Sequence, residues 1–449
     1  MAVKLQTMTE GKLPRQILRF SAPLMLSNVL QVLFNMSDIA VVGQFAGAKA
    51  LGAVGCTGTI VMLYTGFLIG MGSSVNVQTA RFYGAQHKKE VSQTVHTAGI
   101  VCLLAGLLLL LTGQFSARWL LELLNTRPEH IDGATMYLRI YFWGMPALAL
   151  YNYGSGVLSA VGDTRRPLYY LLAAGVLNVA LNLVFVICFH MDVAGVALAS
   201  ILSQYISAGL ILRALLHSRD CYGLQISHLK LYRDKAAALL RIGIPAGLQN
   251  AIFSLANLFI QASINSFDAV VVEGNAAAAN ADGLVYDIMA AFYTACSSFI
   301  GQNYGAGKKD RILKSYFISL LYSFAIGAVL GLALVVFGKP FLSIFTTDTA
   351  VMEAGMDRLR IMGLCYCFSA FMDCTIAASR GLGKGVVPMI FVILGSCVFR
   401  IVWIYTVFAW FGTVTSLYLL FICSWTVTAI AEILYFAHCC RKQLSYTVS

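Results

Sequence analysis

Long apolar stretches separated by short polar ones fill this chain. Twelve of them are long enough to cross roughly 30 Å of hydrocarbon, which takes about 20 helical residues at about 1.5 Å each. They fall at about 15–44, 50–79, 92–114, 135–158, 167–190 and 193–215, then at about 237–265, 275–301, 313–338, 357–380, 387–410 and 413–438. The pattern predicts an all-α integral membrane protein with twelve transmembrane helices, numbered here as spans 1 to 12. The first stretch lacks a short apolar core followed by a small-residue cleavage site, so it is expected to be retained.

Composition narrows the class. Of 449 residues, 59% are hydrophobic and 11% charged, against roughly 25% charged in a soluble domain. The mean hydropathy is +0.77. The twelve cysteines lie mostly in apolar stretches, where a thiol acts as a small hydrophobe, and none has zinc-site spacing. The net charge of +11 could suggest nucleic acid, but its distribution does not. With the N-terminus inside, 23 Lys and Arg fall on the inner side, from Lys4, Lys12, Arg15 and Arg19 to Arg441 and Lys442. Seven fall outside (Lys49, Arg118, Arg127, Arg139, Lys339, Arg358, Arg360), and Arg400 within a span completes the 31. That asymmetry is a positive-inside signal. Both termini are therefore expected in the cytoplasm, with no nucleic-acid partner.

The sequence repeats at an offset of about 221. Arg19 and Pro23 fall on Arg241 and Pro245; Tyr83-Gly84-Ala85 on Tyr304-Gly305-Ala306; Lys88 on Lys309. Leu138-Arg139-Ile140 falls on Leu359-Arg360-Ile361, and Gly162 and Pro167 fall on Gly383 and Pro388. Five ordered matches at nearly one offset mark a duplication. Each repeat has six helices, so each enters and leaves on the same face. The predicted domains are two pseudo-symmetric six-helix lobes, 1–220 and 221–449, joined by a basic connection at about 216–236. Repeats of this kind suit transport by alternating access.

The stretch Gly301-Gln302-Asn303-Tyr304-Gly305-Ala306-Gly307-Lys308-Lys309 is no phosphate-binding loop, because the required first glycine and the Ser/Thr after lysine are missing. Uphill transport would therefore run on an ion gradient, worth roughly 2.3 kcal/mol per charge per 100 mV. Coupling needs a group inside the membrane that binds and releases a cation, and carboxyl groups suit this because hydrocarbon disfavours their charged form. Asp38 lies in the outer part of span 1. Asp282 and Asp287 lie in span 8, Asp373 deeper in span 10, and Glu432 near the inner end of span 12, where a snorkelling structural role is expected. Span 5 carries Asn178 and Asn182 on one helical face, as readily interhelical bridges as ligands. Asn257 and Gln261 are the amides of span 7. All seven histidines are expected in loops or at helix ends. Pro23, fifteen residues before Asp38, is read as a hinge because it deletes a helical hydrogen bond. Arg400 is expected to pair with a carboxylate or reach the inner interface.

The segment 35–47, the run Gln302-Asn303-Tyr304-Gly305-Ala306-Gly307, and Ser379-Arg380-Gly381-Leu382-Gly383 with Pro388 resemble the MATE (multidrug and toxic compound extrusion) family, in particular its DinF-like bacterial branch. The resemblance spans essentially the whole chain. It implies a V-shaped pair of six-helix bundles that exports organic, often cationic, compounds in exchange for H⁺ or Na⁺. On that resemblance, Asp38 matches the coupling acid of span 1, Asn178 its polar partner in span 5, and Pro23 the bend. One departure stands out. Where DinF-like members often carry a second acid one turn along span 5, this chain has Asn182. Asp373 and Asp282 resemble the second-lobe acids of other branches only loosely.

The expected function is a cation-coupled antiporter in a bacterial cytoplasmic membrane. Asp38, Asn178, Asn182 and Asp373 are the coupling candidates, with Na⁺ conceivable at Asp38 or Asp373. Asp282, Asp287, Asn257 and Gln261 are the cavity candidates. No cofactor beyond the ion is expected, the partners are small organic substrates and lipids, and the chain is expected to act as a monomer. A flippase for a lipid-linked saccharide is the alternative; it would call for a strongly cationic cavity. No Ser/His or metal arrangement suggests an enzyme, and neither end offers a signalling domain.

Overall fold

The computed structural model of the chain describes residues 8–445; Lys4 and the two chain ends lie outside the described residues. No strand occurs among those residues, as expected where every backbone polar group must be satisfied within its own segment. Among the described residues, eleven helices are long and apolar enough to cross a membrane. They are Leu13–Ala46 (span 1), Lys49–Gly84 (span 2), Lys88–Leu123 (span 3), Arg165–Cys188 (span 5), Asp192–Leu216 (span 6) and Arg233–Ile264 (span 7). Ala269–Gly305, Lys309–Leu342, Thr349–Gly381, Val386–Phe411 and Val414–Lys442 are spans 8 to 12.

Span 4 differs from the expectation of one continuous helix. It is two helices, Pro128–Phe142 and Met145–Ala160, interrupted at Trp143 and Gly144. The cause is local. Pro146 begins the second piece, where its missing N–H costs nothing. In the other repeat Gly144 and Pro146 are matched by Cys365 and Cys367, and Thr349–Gly381 runs through without a break. Widened π-type turns recur at matching places too, Val184–Cys188 in span 5 and Ile404–Phe408 in span 11.

By packing, the described chain forms two units, Leu26–Ala251 and Met8–Met25 with Ile252 onward. In the first, Met145–Ala160 packs against spans 2, 3 and 6. In the second, span 10 lies against spans 8, 9 and 12. The packing units and the sequence repeats are therefore different divisions, because the first helix of each repeat changes unit partway along. The start of span 1 buries Leu13, Ile17 and Phe20 against Phe292, Ala295 and Phe299 of span 8. The start of span 7 lies on span 2, where a Cβ on Gly70 would stand 2.3 Å from the Gly247 nitrogen. Asn250 donates to the Gly66 carbonyl at 3.0 Å in the same seam.

The polar connection between the repeats is also tied down, by a residue expected elsewhere. His96 lies eight residues into Lys88–Leu123 and is buried. Its Nδ1 bonds the Ser92 carbonyl at 2.7 Å, and its Nε2 accepts from the Gln225 N–H at 3.0 Å. Span 3 begins at Lys88, so a position that looked terminal is interior and serves the connection.

Backbone against backbone leaves no room to adjust. Gly70→Leu is predicted to destabilise the protein by about 1–3 kcal/mol, measured as a lower melting temperature in detergent. Gly209→Leu, with open space at its Cβ, should leave it unchanged.

Candidate functional site

Asp38 is carried by span 1 and sits half-buried in the first unit. Its Oδ1 accepts from the Asn182 amide nitrogen at 2.5 Å, and its Oδ2 from the Ser200 hydroxyl at 3.4 Å. Spans 5 and 6 thus each send a donor to one carboxyl group. The same Asn182 nitrogen donates to Asn178 Oδ1 at 3.3 Å, so the predicted i, i+4 pair forms a chain ending on Asp38. Asn182 is fully buried, and its Oδ1 has no hydrogen-bond partner among the described residues. Tyr137 and Tyr141, stacked with centroids 5.8 Å apart, lie within electrostatic reach of Asp38, and Gln204 donates to the Tyr141 hydroxyl at 3.2 Å.

Backbone geometry frames this group. A π-type turn, Val42–Ala46, begins four residues after Asp38, and the turn at Val184 begins two after Asn182. Such turns rotate the following side chains out of α-helical register and recur at functional sites. Pro23 lies inside span 1 and Pro245 inside span 7. The chain changes unit two residues after the first, at Met25/Leu26, and six after the second, at Ala251/Ile252.

The second unit treats its acids differently. Asp282 accepts from Arg358 and from the Tyr366 hydroxyl, and Arg358 also donates to Asn275 Oδ1 at 2.5 Å. The Arg358 guanidinium lies 5.3 Å from the Tyr418 ring centroid and 5.5 Å from that of Phe421. Asp282 is thus held by a complete set of donors. Asp287 is half-buried five residues further along the same helix. Arg358, counted above among the outer charges, is instead buried nine residues into Thr349–Gly381. That helix begins earlier than the apolar pattern showed, because Asp348 caps it by accepting from the Ala350 N–H at 2.8 Å.

Asp373 belongs to a separate cluster. Spans 10, 11 and 12 meet where the Ser396 hydroxyl bonds Thr428 at 3.1 Å and the Met372 sulfur at 3.6 Å. Asp373 follows Met372, Arg400 lies one turn beyond Ser396, and Glu432 one turn beyond Thr428. Asp373 Oδ2 and both Glu432 oxygens are buried without hydrogen-bond partners among the described residues. Arg380 lies within electrostatic reach of both acids, and Arg400 within reach of Asp373. Glu432 is fully buried and does not snorkel, because its helix continues to Ser445. Arg400 does not reach the interface either. Fully buried, it donates to Asn257 Oδ1 at 2.9 Å and Ser424 at 3.2 Å, with its guanidinium 4.6 and 4.9 Å from the rings of Phe253 and Phe421. Gln261 turns instead to Asn265, just past the end of its own helix, at 2.8 Å.

The structure therefore brings Asp38, Asn178 and Asn182 together and adds Ser200. It sets Asp282 in an ion pair with Arg358, groups Asp373 with Glu432, and joins Asn257 to Arg400. Ser200 carried no local signal, since serine is common in membrane helices. Arg358 was findable by charge balance, because a buried acid needs a cation.

The MatE family model matches this chain twice, at residues 23–184 and 245–406, reproducing the internal offset. The chain is 31% identical over 370 residues to the probable multidrug resistance protein YpnP of Bacillus subtilis, covering 82% of each chain. It is 26% identical over 384 residues to the probable multidrug resistance protein NorM of Thermotoga maritima, covering 84% of this chain and 82% of that one. The solved structure of a MOP-superfamily transporter from Pyrococcus furiosus superposes with a TM-score of 0.92 at 22% identity, over 99% of both chains; that likeness shows the fold. With a double family match across most of its length and a relative above 30% identity, this chain belongs to the MATE family of multidrug efflux transporters and is a transporter, not an enzyme.

Proposed function

We propose that the chain is a proton-coupled antiporter that exports organic, often cationic, compounds across a bacterial cytoplasmic membrane, with both termini inside, and that Asp38 is the proton carrier. It works as a monomer and needs no cofactor beyond the ion. The single observation that carries this reading is the pairing of Asp38 with a buried amide whose oxygen has no partner among the described residues. An ionised Asp38 accepts from Asn182 and Ser200. A protonated Asp38 has an O–H to donate, and Asn182 Oδ1 can take it if the amide turns over. Turning withdraws the amide nitrogen from Asn178 and rearranges the span 1–span 5 link. The donor set favours a proton over Na⁺, because two of the groups facing the carboxylate, an N–H and an O–H, present hydrogens to it.

Pro23 then supplies the place where the outer half of span 1 changes direction, close to where the chain passes from one unit to the other. Cation binding at Asp38 thereby alters the substrate site through span 1. Asp282 serves a different purpose: with Arg358 and Tyr366 it joins spans 8 and 10. The flippase alternative is weakened because Arg358, the added buried cation, is neutralised by its own acid.

Asp38→Asn keeps the shape and one acceptor oxygen but removes the exchangeable proton. It is predicted to fold normally and to reduce gradient-driven efflux of a cationic dye from proteoliposomes to less than about a tenth, a loss of about 1.4 kcal/mol or more in coupling. Wild-type efflux from that variant would sink the assignment. Arg358→Met strands the Asp282 carboxylate. Breaking a fully buried pair costs about 3–5 kcal/mol; here the cost is smaller, since Asp282 keeps 25% of its side chain exposed. The double variant Arg358→Met/Asp282→Leu should recover most of that stability in thermal unfolding.

A further inference from the structure

The stretch 301–309, excluded above as a phosphate-binding loop, joins the end of span 8 to the start of span 9, and the proposed mechanism does not use it or the neighbouring Arg311. In the structure it grips a short piece of chain just ahead of span 1. Arg311 Nη1 donates to the Gly11 carbonyl at 2.9 Å, and Nη2 to the Met8 carbonyl at 3.0 Å and the Glu10 carbonyl at 3.3 Å. Its Nε is steadied by Asn303 Oδ1 at 3.1 Å. Asn303 also donates to the Met8 carbonyl at 3.2 Å, Gln302 Oε1 accepts from the Met8 N–H at 3.3 Å, and Lys308 donates to the Thr9 carbonyl at 2.9 Å. One guanidinium thus takes three carbonyls of one turn, a geometry that a planar fork provides and an ammonium does not. Gly11 allows the turn by adopting a φ of +80°.

The other repeat has a counterpart. At the offset of 221, Arg311 falls on Glu90 and Asn303 on Phe82. Glu90 pairs with Lys235 at the start of span 7, and the Lys235 ammonium lies 4.1 Å from the Phe82 ring centroid. Each repeat therefore uses the same loop position to hold the start of the other repeat's first helix. The charges are reversed, but the task is the same.

We propose that Arg311 is a positioning residue for transport: it fixes the start of span 1 in the second unit, so that movement of the Asp38 half passes through Met25/Leu26 into that unit. Without the anchor, a change at Asp38 would be absorbed by a loose helix end. This rests on Asp38 being the coupling acid, and the test separates the two ideas.

The test uses the full-length protein and ethidium as the cationic probe. Ethidium affinity is measured against pH in detergent, and ethidium efflux is measured from proteoliposomes under an imposed pH gradient. Arg311→Ala is expected to keep the wild-type pH dependence of ethidium affinity and to lose efflux by about tenfold or more, given how strong hydrogen bonds to a charged group are. Lys308→Met, which removes the Thr9 hydrogen bond and the Glu10 ion pair at 3.9 Å but leaves the Arg311 contacts, should show the same split with a loss of about threefold, and it carries the test if Arg311→Ala fails to fold. Wild-type efflux from either variant overturns the inference. So does loss of the pH dependence in step with efflux, which would mean that the loop merely supports the fold. A wild type whose ethidium affinity ignores pH would overturn the Asp38 reading and this inference with it.

Discussion

Hydrocarbon does not solvate a charge, and each acid inside this transporter carries the mark of that constraint. Asp282 is satisfied outright, by Arg358 and Tyr366. Asp38 is met by two neutral donors, Asn182 and Ser200. Asp373 and Glu432 keep buried oxygens without partners among the described residues, while two guanidiniums lie nearby. These are three different answers to one problem. A fully paired carboxylate is a strut. One held by neutral, rotatable groups can change its protonation state and have the change registered by its neighbours.

Registering the change is useful only if it reaches the rest of the molecule. The first helix of each repeat belongs to one packing unit at its start and to the other at its end, with a proline shortly before each change. Asp38 is on one side of the first change, and the turn gripped by Arg311 is on the other. In the proposed mechanism the proton-carrying group and the gripped turn therefore share a single helix.

Much of this was legible in the chain. Apolar run lengths gave eleven helices directly, because burial in lipid imposes a length requirement that sequence reports without ambiguity. The twelfth was legible as apolar but not as broken; the proline that breaks it was visible, and its effect depended on where the helix began. The Asn178–Asn182 pair was readable from helical periodicity, and its meeting with Asp38 was not, since 140 or more residues separate them in sequence. Arg358 and Glu432 were misplaced for a common reason. Hydropathy ends where polar residues begin, but the Asp348 cap carries one helix past that point at its start, and the polar tail of another stays helical to Ser445. Charged residues near such ends look exposed in sequence and are buried in the structure. The anchor around Arg311 was hidden for a different reason: its partners are backbone carbonyls, which leave no trace in residue types.

The central claim is that Asp38 gives up a proton when substrate binds. Calorimetry of substrate binding in buffers of different ionisation enthalpy counts that proton directly. The account predicts that wild-type protein releases a proton near neutral pH and that Asp38→Asn binds with none released. Equal release from both proteins, or none from wild type, would contradict it.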